Sequence, residues 1–319
     1  MCICLEVRPT KGLFIFSFNM RLFILKILRV FFLSILLLFL YLYVISEFLG
    51  SRLDQFYVKL VSPTKYGLIL GDSRALMGVD PEFLTPRFDN FAFTITHSPY
   101  DKSYLNLIAK KVSRFDSFDL NRKHIVCVSP WALLTNVNDT TDRNLFFSEN
   151  LRLPLMNPNI EYLFKYVDLS FLNLINIIRT KSYTKGNGCY KYIVSKKELS
   201  LEYNRRVRDK IADYRSKYNS ENLNLKSSRV QNLNEIIKYL QKSGKVYLVR
   251  LPISKEILKL EKEKFPGFDI LMTDFCRLNN IDYINLSFYH FKTVDGNHLW
   301  FQESKRLGET LSAIILKKN

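Results

Sequence analysis

Residues 67–74 read Gly-Leu-Ile-Leu-Gly-Asp-Ser-Arg, and this stretch decides the fold class. Its apolar half stops abruptly at Gly71-Asp72-Ser73, which predicts a buried strand followed by a tight turn that presents a serine. In open α/β sheets, ligands bind beyond the carboxyl ends of the strands. Ser73 is therefore a candidate nucleophile, provided that a base reaches its hydroxyl.

A candidate base lies near the other end of the chain, in Asp295-Gly-Asn-His298. Asp295 precedes His298 by three residues, so one turn of backbone can bring its carboxylate to the imidazole and fix the tautomer. His298 could then take the proton of Ser73 as the serine attacks an acyl carbonyl. Asp72 is interpreted as a structural residue that bonds backbone amides of the turn.

Together, Gly71-Asp72-Ser73 and Asp295-x-x-His298 resemble the first and last sequence blocks of the SGNH (GDS-type) hydrolases. The order serine, aspartate, histidine is also the order of that family. The resemblance covers residues 66–316, with a large unmatched middle. It implies that Ser73 is the nucleophile, that His298 is the base and that Asp295 orients the base.

Two further blocks of that family, which supply hydrogen-bond donors to the oxyanion, are not matched. The resemblance implies a glycine after the second strand, where this chain has Thr94-Ile-Thr-His-Ser-Pro99. It implies a Gly-x-Asn-Asp motif after the third strand, where this chain has Ser129-Pro-Trp131. The side chains that could replace these donors are Thr96, His97, Ser98 and Ser129.

Strand and helix patterns alternate along most of the chain. Apolar runs predict strands at residues 66–70, 88–95, 124–128, 245–251 and 281–286, with helices between them, one of which ends at Gly244. We expect an α/β protein, a three-layer flavodoxin-like (SGNH) sandwich around a parallel sheet. Residues 132–226 break the alternation and predict a helical insertion, with one apolar helical pattern over residues 161–178. This insertion is either a lid over the carboxyl edge of the sheet or a plain helical subdomain.

The first fifty residues have the pattern of a membrane span. Residues 30–45 are apolar except for Ser34, and residues 22–28 extend the run backwards. Such a helix can cross roughly 30 Å of hydrocarbon if Lys26 and Arg29 snorkel to the interface. Residues 46–51 lack an Ala-x-Ala cleavage pattern, which favours an uncleaved anchor over a signal peptide. The predicted organisation is a cytoplasmic tail and transmembrane anchor in residues 1–50 and an SGNH-like α/β domain in residues 51–319.

The flanking charges predict the orientation of this span. Cationic side chains are more numerous before it than after it, so the positive-inside rule places the N-terminus in the cytoplasm. We expect a single-pass protein of a bacterial inner (cytoplasmic) membrane, held through residues 22–48, with its domain facing outward. Met20 is an alternative start of the chain, which would remove residues 1–19.

The formal net charge of the chain is +17. A basic surface can hold acidic glycans, phospholipid headgroups or nucleic acid, and Arg74 could pair with a carboxylate or support an acidic substrate. The AT-rich codon bias suggested by abundant Asn, Ile, Tyr and Phe is the favoured explanation of the charge. No nucleic-acid recognition motif and no paired metal-ligand spacing occur. We therefore predict neither a nucleic-acid partner nor a metal or other cofactor.

Two functions from different classes follow from these patterns. The first is a membrane-anchored serine esterase or O-acyltransferase that acts on acyl esters of cell-envelope glycans. The resemblance to the divergent, membrane-anchored branch of the SGNH hydrolases implies this substrate class. The second is a non-catalytic binding or scaffold protein of the cell envelope on the same fold, which the unmatched glycine and asparagine suggest.

Overall fold

The computed structural model describes residues 11–62, 66–94, 100–113, 122–133, 157–218 and 227–318, with side chains from Met20 onward except those of residues 171 and 227. Its strands are β1 (Gly67–Leu70), β2 (Phe88–Asn90), β3 (Arg122–Cys127), β4 (Tyr183–Thr184), β5 (Tyr190–Lys191), β6 (Gly244–Arg250) and β7 (Asp282–Asn285). Five of them form a parallel sheet in the order β2-β1-β3-β6-β7, and β4 and β5 form a separate antiparallel pair. The sheet order confirms the predicted flavodoxin-like arrangement, whose topological switch point lies between β1 and β3.

Helices surround this sheet. They are α1 (Lys11–Leu53), α2 (Tyr57–Val61), α3 (Ser73–Gly78), α4 (Lys102–Val112), α5 (Pro130–Leu133), α6 (Ile160–Tyr166), α7 (Phe171–Arg179), α8 (Lys196–Lys217), α9 (Ser227–Gln241), α10 (Lys255–Lys264), α11 (Phe268–Leu278) and α12 (Ser304–Lys317). Short 3₁₀ turns cover Pro81–Phe83 and Phe301–Glu303.

The strands are buried on both faces, which gives the three layers. Leu68 and Leu70 of β1 join a core with residues of α4, α9 and α11. Ile69, between them, points to the other face and joins a core with residues of α3 and α12. This alternation follows from the pleat of a strand, because successive side chains point to opposite faces. Parallel strands covered by helices on both sides read as the continuous apolar runs seen in the sequence.

Three local predictions differ from the structure. The second strand ends at Asn90, although Phe91 N–H still donates to Ile69 O (2.8 Å). The apolar pattern over residues 161–178 forms two helices, α6 and α7, because Ser170 caps a new helix through Asn173 N–H. Gly244 begins β6 and does not end a helix; a Cβ there would lie 2.0 Å from Arg122 O, so the strand contact requires glycine.

The described part of the predicted insertion combines helices with a hairpin. Helices α6, α7 and α8 and the strands β4 and β5 lie within residues 157–218. Two salt bridges connect this hairpin to the segment between α3 and β2: the carboxylate of Asp80 pairs with Lys185 (2.9 Å) and with Lys191 (2.7 Å). Helix α8 packs against α10, and its Tyr214 stacks on Trp131 with ring centroids 4.3 Å apart. The insertion therefore joins the side of the sheet on which α10 lies.

One helix among the described residues is long and apolar enough to cross a membrane. It covers Met20–Leu53, with a mean hydropathy of 2.6 in its most apolar window. By length and composition, this segment fits a membrane span or a signal sequence. Its C-terminal part packs on the domain, since Leu42 and Ile45 are buried and Leu42 belongs to the same core cluster as Tyr162.

Candidate active site

Ser73 is presented by a turn that only glycine can make. Gly71, directly after β1, has φ +141°, and a Cβ there would lie 2.8 Å from Cys127 Cβ. The next residue, Asp72, caps α3 by accepting a hydrogen bond from Arg74 N–H (2.9 Å). Ser73 is therefore the first residue of α3, beyond the carboxyl end of β1. Its own N–H lies in the first helical turn, where backbone donors have no intrahelical acceptor.

The loop after β7 contains the Asp295-x-x-His298 motif, and backbone hydrogen bonds within the loop fix its shape. Thr293 and Leu299 form an antiparallel bridge, and Val294 N–H donates to His298 O (2.7 Å). Gly296, at φ +82°, makes the turn inside this bridge, where a Cβ would lie 2.9 Å from Ser254 Oγ. The loop thus presents Asp295 and His298 at the same carboxyl edge of the sheet as Ser73.

The structure brings the three predicted side chains into one hydrogen-bonded chain. Ser73 Oγ lies 2.8 Å from His298 Nε2, and His298 Nδ1 lies 2.8 Å from Asp295 Oδ2. An ionised carboxylate only accepts, so Nδ1 carries the proton, Nε2 is the acceptor and the Ser73 hydroxyl donates to it. This is the arrangement that a nucleophile, its base and the orienting acid require.

Asp295 serves both the loop and the imidazole. Its Oδ1 accepts from the backbone N–H groups of Asn297 (3.0 Å) and His298 (2.8 Å), while Oδ2 accepts from the ring. Burial disfavours the charged carboxylate, but the His298 ring and these hydrogen bonds outweigh it and hold the pKa of Asp295 well below its usual range. Asp295 is thus an anion at neutral pH, as its orienting role requires.

A fourth polar side chain, that of Asn297, reaches the same histidine nitrogen. Asn297 Oδ1 accepts from Arg74 Nε (2.8 Å) and from the Tyr214 hydroxyl (2.8 Å). Burial raises the pKa of Tyr214 well above its ordinary value, so that hydroxyl is a donor. Two donors at Oδ1 fix the orientation of the amide, because the amide nitrogen cannot accept. Nδ2 therefore faces the ring, 3.1 Å from His298 Nε2.

A buried ionic network fixes the position of Arg74, the residue that donates to Asn297. Glu261 on α10 pairs with Arg74 (2.5 Å) and with Arg250 (2.6 Å), and Arg250 also pairs with Asp269 (2.5 Å). Burial works against the Arg74 charge, but the Glu261 carboxylate raises the pKa of Arg74 above its ordinary value. Charges this deeply buried are tolerated only when they are paired and hydrogen-bonded.

Two predicted substrate contacts are corrected by these partners. Arg74 is only 3% exposed and donates hydrogen bonds to Glu261 and Asn297. It therefore orients Asn297 and does not face a substrate. The Ser129 hydroxyl donates to Asp72 Oδ2 (2.6 Å) and is buried, so its proton is not available to an oxyanion. The three other predicted oxyanion donors, Thr96, His97 and Ser98, lie outside the described residues.

An open cleft of about 620 Å³ adjoins the histidine and the aspartate. One wall is the charged face of α8, and another is formed by aromatic residues of the hairpin and by Gln55, which follows α1. The lining side chains used below are Gln55, Tyr190, Tyr192, Arg205, Asp209 and Lys210. Helix α8 of the predicted insertion therefore forms a wall of the cleft next to His298.

Several residues of the site escaped the sequence analysis. Asn297 lies inside the Asp-x-x-His motif, and a polar residue directly before the histidine was the available signal. Glu261, in α10, and Arg250, at the end of β6, gave no signal of their own, since charged residues usually face solvent. Tyr214 lies in residues 198–218, whose dense charge is typical of a solvated helix, so nothing in the sequence signals its buried position.

Comparisons with known proteins place the chain far from characterised relatives. No family model matches it, and no curated protein matches it. Among solved structures, the chain is similar to Est24, a carbohydrate acetylesterase from Sinorhizobium meliloti, at 9% identity and a TM-score of 0.35, over 80% of this chain and 100% of that chain. It is also similar to the inhibitor-bound form of an aryl esterase from M. smegmatis, at 10% identity and a TM-score of 0.35, over 79% of this chain and 99% of that chain. Likeness at this distance carries no argument about what this chain does, so its function is argued from the site.

Proposed function

We propose that this chain is a membrane-anchored serine esterase or O-acyltransferase, with Ser73 as the nucleophile, His298 as the base and Asp295 as its orienting acid. The observation that carries this proposal is the hydrogen-bonded chain from Ser73 Oγ through the imidazole to the Asp295 carboxylate, with both distances at 2.8 Å. Serine is a weak nucleophile without such a base, and a surface serine rarely has one.

The first half of the reaction forms an acyl-enzyme. Ser73 Oγ attacks the ester carbonyl carbon while His298 Nε2 takes the hydroxyl proton, and the carbonyl electron pair moves onto oxygen. The carbonyl then re-forms, the ester C–O bond breaks, and His298 returns the proton to the leaving alcohol. Asp295 stays ionised throughout and stabilises the imidazolium that forms between these steps.

The second half releases the acyl group. A water molecule gives hydrolysis and a sugar hydroxyl gives transfer. In both cases the attacking oxygen bonds to the acyl carbon while His298 removes its proton; the bond from that carbon to Ser73 Oγ then breaks, and His298 returns the proton to Ser73. We assign two donors to the developing oxyanion: the Ser73 backbone N–H, in the first turn of α3, and Asn297 Nδ2, which lies 3.1 Å from His298 Nε2. The Asn297 amide is already oriented by Arg74 and Tyr214 before the charge appears.

We assign acyl esters of cell-envelope glycans as the substrate class. The cleft is open, and it combines the tyrosines 190 and 192 with charges of both signs on α8. Aromatic rings with a polar edge and dense hydrogen-bonding groups suit a hydrated sugar chain better than a long aliphatic acyl chain. An acetyl-sized acyl group is consistent with these walls.

The membrane anchor of the proposal is α1. Leu42 and Ile45 are buried against the domain, and Arg52 and Glu47 bond to residues 178 and 157. Cleavage of a signal sequence near residues 46–51 would remove Leu42 and Ile45 and expose the part of the apolar core that they cover. The proposed orientation, with the domain outside the cytoplasm of a bacterium, follows from the cationic residues before the span.

A second candidate function is a non-catalytic envelope-binding protein. It is favoured by one observation, namely that the Ser129 hydroxyl is bound to Asp72, so that the position of the third family block supplies no side-chain donor. A binding protein would retain the cleft and the ionic network without turning over an ester.

Ester hydrolysis separates the two functions. The full chain, in detergent, is offered p-nitrophenyl acetate and an O-acetylated oligosaccharide, and release of p-nitrophenol and acetate is measured. We expect His298→Ala to lose activity by about 10²–10⁴-fold, the contribution of a positioned base, and Ser73→Ala, which lacks the nucleophile, to lose at least as much. Ser200→Ala and His290→Ala, which alter exposed residues away from the site, should match the parent. Equal background rates in all five proteins would favour the binding protein.

A further inference from the structure

Two short helices of the insertion expose apolar side chains to the surroundings. In α6, Ile160 and Phe164 are four residues apart and are 40% and 59% exposed. In α7, Leu172 and Ile178 are 74% and 55% exposed, and the half-buried Ile175 lies between them on the same face. Clustered exposed apolar residues of this kind mark an interaction surface.

Both helices adjoin the last turns of the apolar helix α1. Arg52 Nη1 donates to Ile178 O (2.9 Å), and α7 packs directly on α1. Immediately before α6, Asn157 Nδ2 donates to Glu47 Oε2 (2.9 Å). The exposed faces thus belong to elements that contact the last turns of α1, where the chain leaves the proposed membrane span.

The contact between α1 and the domain extends into the apolar run itself. Leu42 is 1% exposed and lies within residues 30–45, the continuous apolar part of the span. It shares a core cluster with Tyr162 and Leu163 of α6. At about 1.5 Å per residue, Leu42 lies about 4.5 Å inside the end of that run. A segment of the domain at this depth would meet lipid and not bulk water.

We propose that α6 and α7 form a second membrane contact, lying in the bilayer interface beside α1 on the domain's side of the membrane. This inference rests on the proposed anchor and not on the proposed catalysis. Interfacial helices bury their apolar face about 5–10 Å into the boundary between headgroups and acyl chains. Ile160, Phe164, Leu172 and Ile178 are the inserting residues. Two exposed cations, Arg179 at the end of α7 and Lys181 just after it, suit anionic headgroups.

This docking has a consequence for the catalytic cleft. Gln55 lines the cleft and follows the end of α1 by two residues. A domain held by one helix could tilt freely, whereas contacts through both α1 and the pair α6 and α7 fix its orientation. The mouth of the cleft then stays close to the lipid surface, within reach of substrates that are carried by the membrane.

Depth-dependent quenching of tryptophan fluorescence tests the proposal on the full chain. Leu172→Trp and Phe164→Trp are reconstituted separately into vesicles of phosphatidylcholine and phosphatidylglycerol with brominated acyl chains. The signal of the parent, from the buried Trp131 and Trp300, is subtracted. Leu36→Trp, in the middle of the apolar run, is the control for anchoring, and Leu278→Trp is the exposed control on α11, which packs beside β7.

We expect Leu172→Trp and Phe164→Trp to be quenched by bromines near the headgroups, Leu36→Trp by bromines deep in the chains, and Leu278→Trp by neither. Quenching of Leu36→Trp alone would overturn the second contact and leave the anchor in place. A blue-shifted but unquenched Leu172→Trp would also overturn it, since another protein would then cover this face. Absence of quenching in all variants would refute the anchor itself, while ester hydrolysis by the same samples would test the catalytic proposal separately.

Discussion

Arg74 Nε donates a hydrogen bond of 2.8 Å to Asn297 Oδ1. Arg74 directly follows the proposed nucleophile, Ser73, and Asn297 directly precedes the proposed base, His298. Arg74 and Asn297 are 223 positions apart in the chain. This contact is buried, and it links the turn after β1 to the loop after β7 independently of the bond between Ser73 and His298. The distance between nucleophile and base is therefore set by side chains that do not themselves react.

The carboxylate of Glu261 should be essential for stability, because it neutralises the buried guanidinium groups of Arg74 and Arg250. Glu261→Gln leaves both cations without their shared counter-ion. Breaking a buried ion pair in this way costs about 3–5 kcal/mol. Thermal unfolding in detergent measures the loss, with Glu256→Gln, an exposed position on the same helix, as the matched control. Equal melting temperatures for the two variants would contradict the role assigned to the network.

Asn297 should contribute to the rate and not only to the fold. Removal of one preorganised oxyanion donor costs about 10²–10³ in kcat, and we expect a loss of this size in Asn297→Ala with KM little changed. Asn297→Asp keeps an oxygen for Arg74 and Tyr214 but lacks the amide donor, so it should remain folded and be at least as slow. Asn204→Ala, an exposed asparagine on α8, is the control. Full activity of Asn297→Asp would show that the Asn297 amide is not needed as an oxyanion donor.

Asp295 should stabilise the protein in a pH-dependent way. Its folded pKa is lower than the ordinary value of 3.8, so the unfolded chain binds the proton more tightly. The stabilisation is fully present above 3.8 and is lost as the pH falls toward the folded pKa. The difference in melting temperature between the parent and Asp295→Asn should therefore be constant near neutrality and shrink in acid. A difference that grows in acid would contradict the assignment.

The same substitution tests the orienting role. In serine enzymes with this triad, replacing the aspartate by asparagine lowers kcat by about 10⁴ because the wrong tautomer results. We expect a loss of this order for Asp295→Asn in ester hydrolysis at neutral pH. Retention of most of the parent rate would show that the imidazole does not need Asp295.

Gly71 should not tolerate a side chain. Gly71→Ala forces φ +141° on an alanine and brings its Cβ to 2.8 Å from Cys127 Cβ. Strained backbone costs about 1–3 kcal/mol, and the steric contact adds to it. Gly186→Ala, at a position where a Cβ meets nothing within 4 Å, is the control and should be neutral. Unfolding and ester hydrolysis, measured together, should show the Gly71 variant to be both less stable and less active.

The sequence predicted the sheet well because the central strands β1, β3 and β6 each contain a continuous apolar run with a polar residue close after it. Ser73, Asp295 and His298 were accessible for the same reason: they follow the ends of β1 and β7, and parallel strands bring such residues to one edge. Gly244 was misassigned because a glycine after a helical pattern is usually a helix stop, whereas here the neighbouring strand comes too close for a Cβ.

What could not be predicted depends on contacts between distant segments. For Arg74, the sequence left open a pair with a carboxylate or a contact with an acidic substrate, since nothing near residue 74 indicates that Glu261 lies 2.5 Å away. Asn297 gains its orientation from Arg74 and from Tyr214, on a helix of the insertion. The packing of Leu42 on the core was likewise invisible in a run that reads as uniformly apolar.

Covalent labelling of the full chain by a fluorophosphonate, with the adduct located by mass spectrometry, tests the central claim most directly. The reagent reacts with a serine whose proton is removed by a neighbouring base. The account predicts one adduct, on Ser73, which disappears in His298→Ala and persists in His290→Ala. An adduct on another serine, or a folded parent that takes up no label while its cleft is intact, would contradict it.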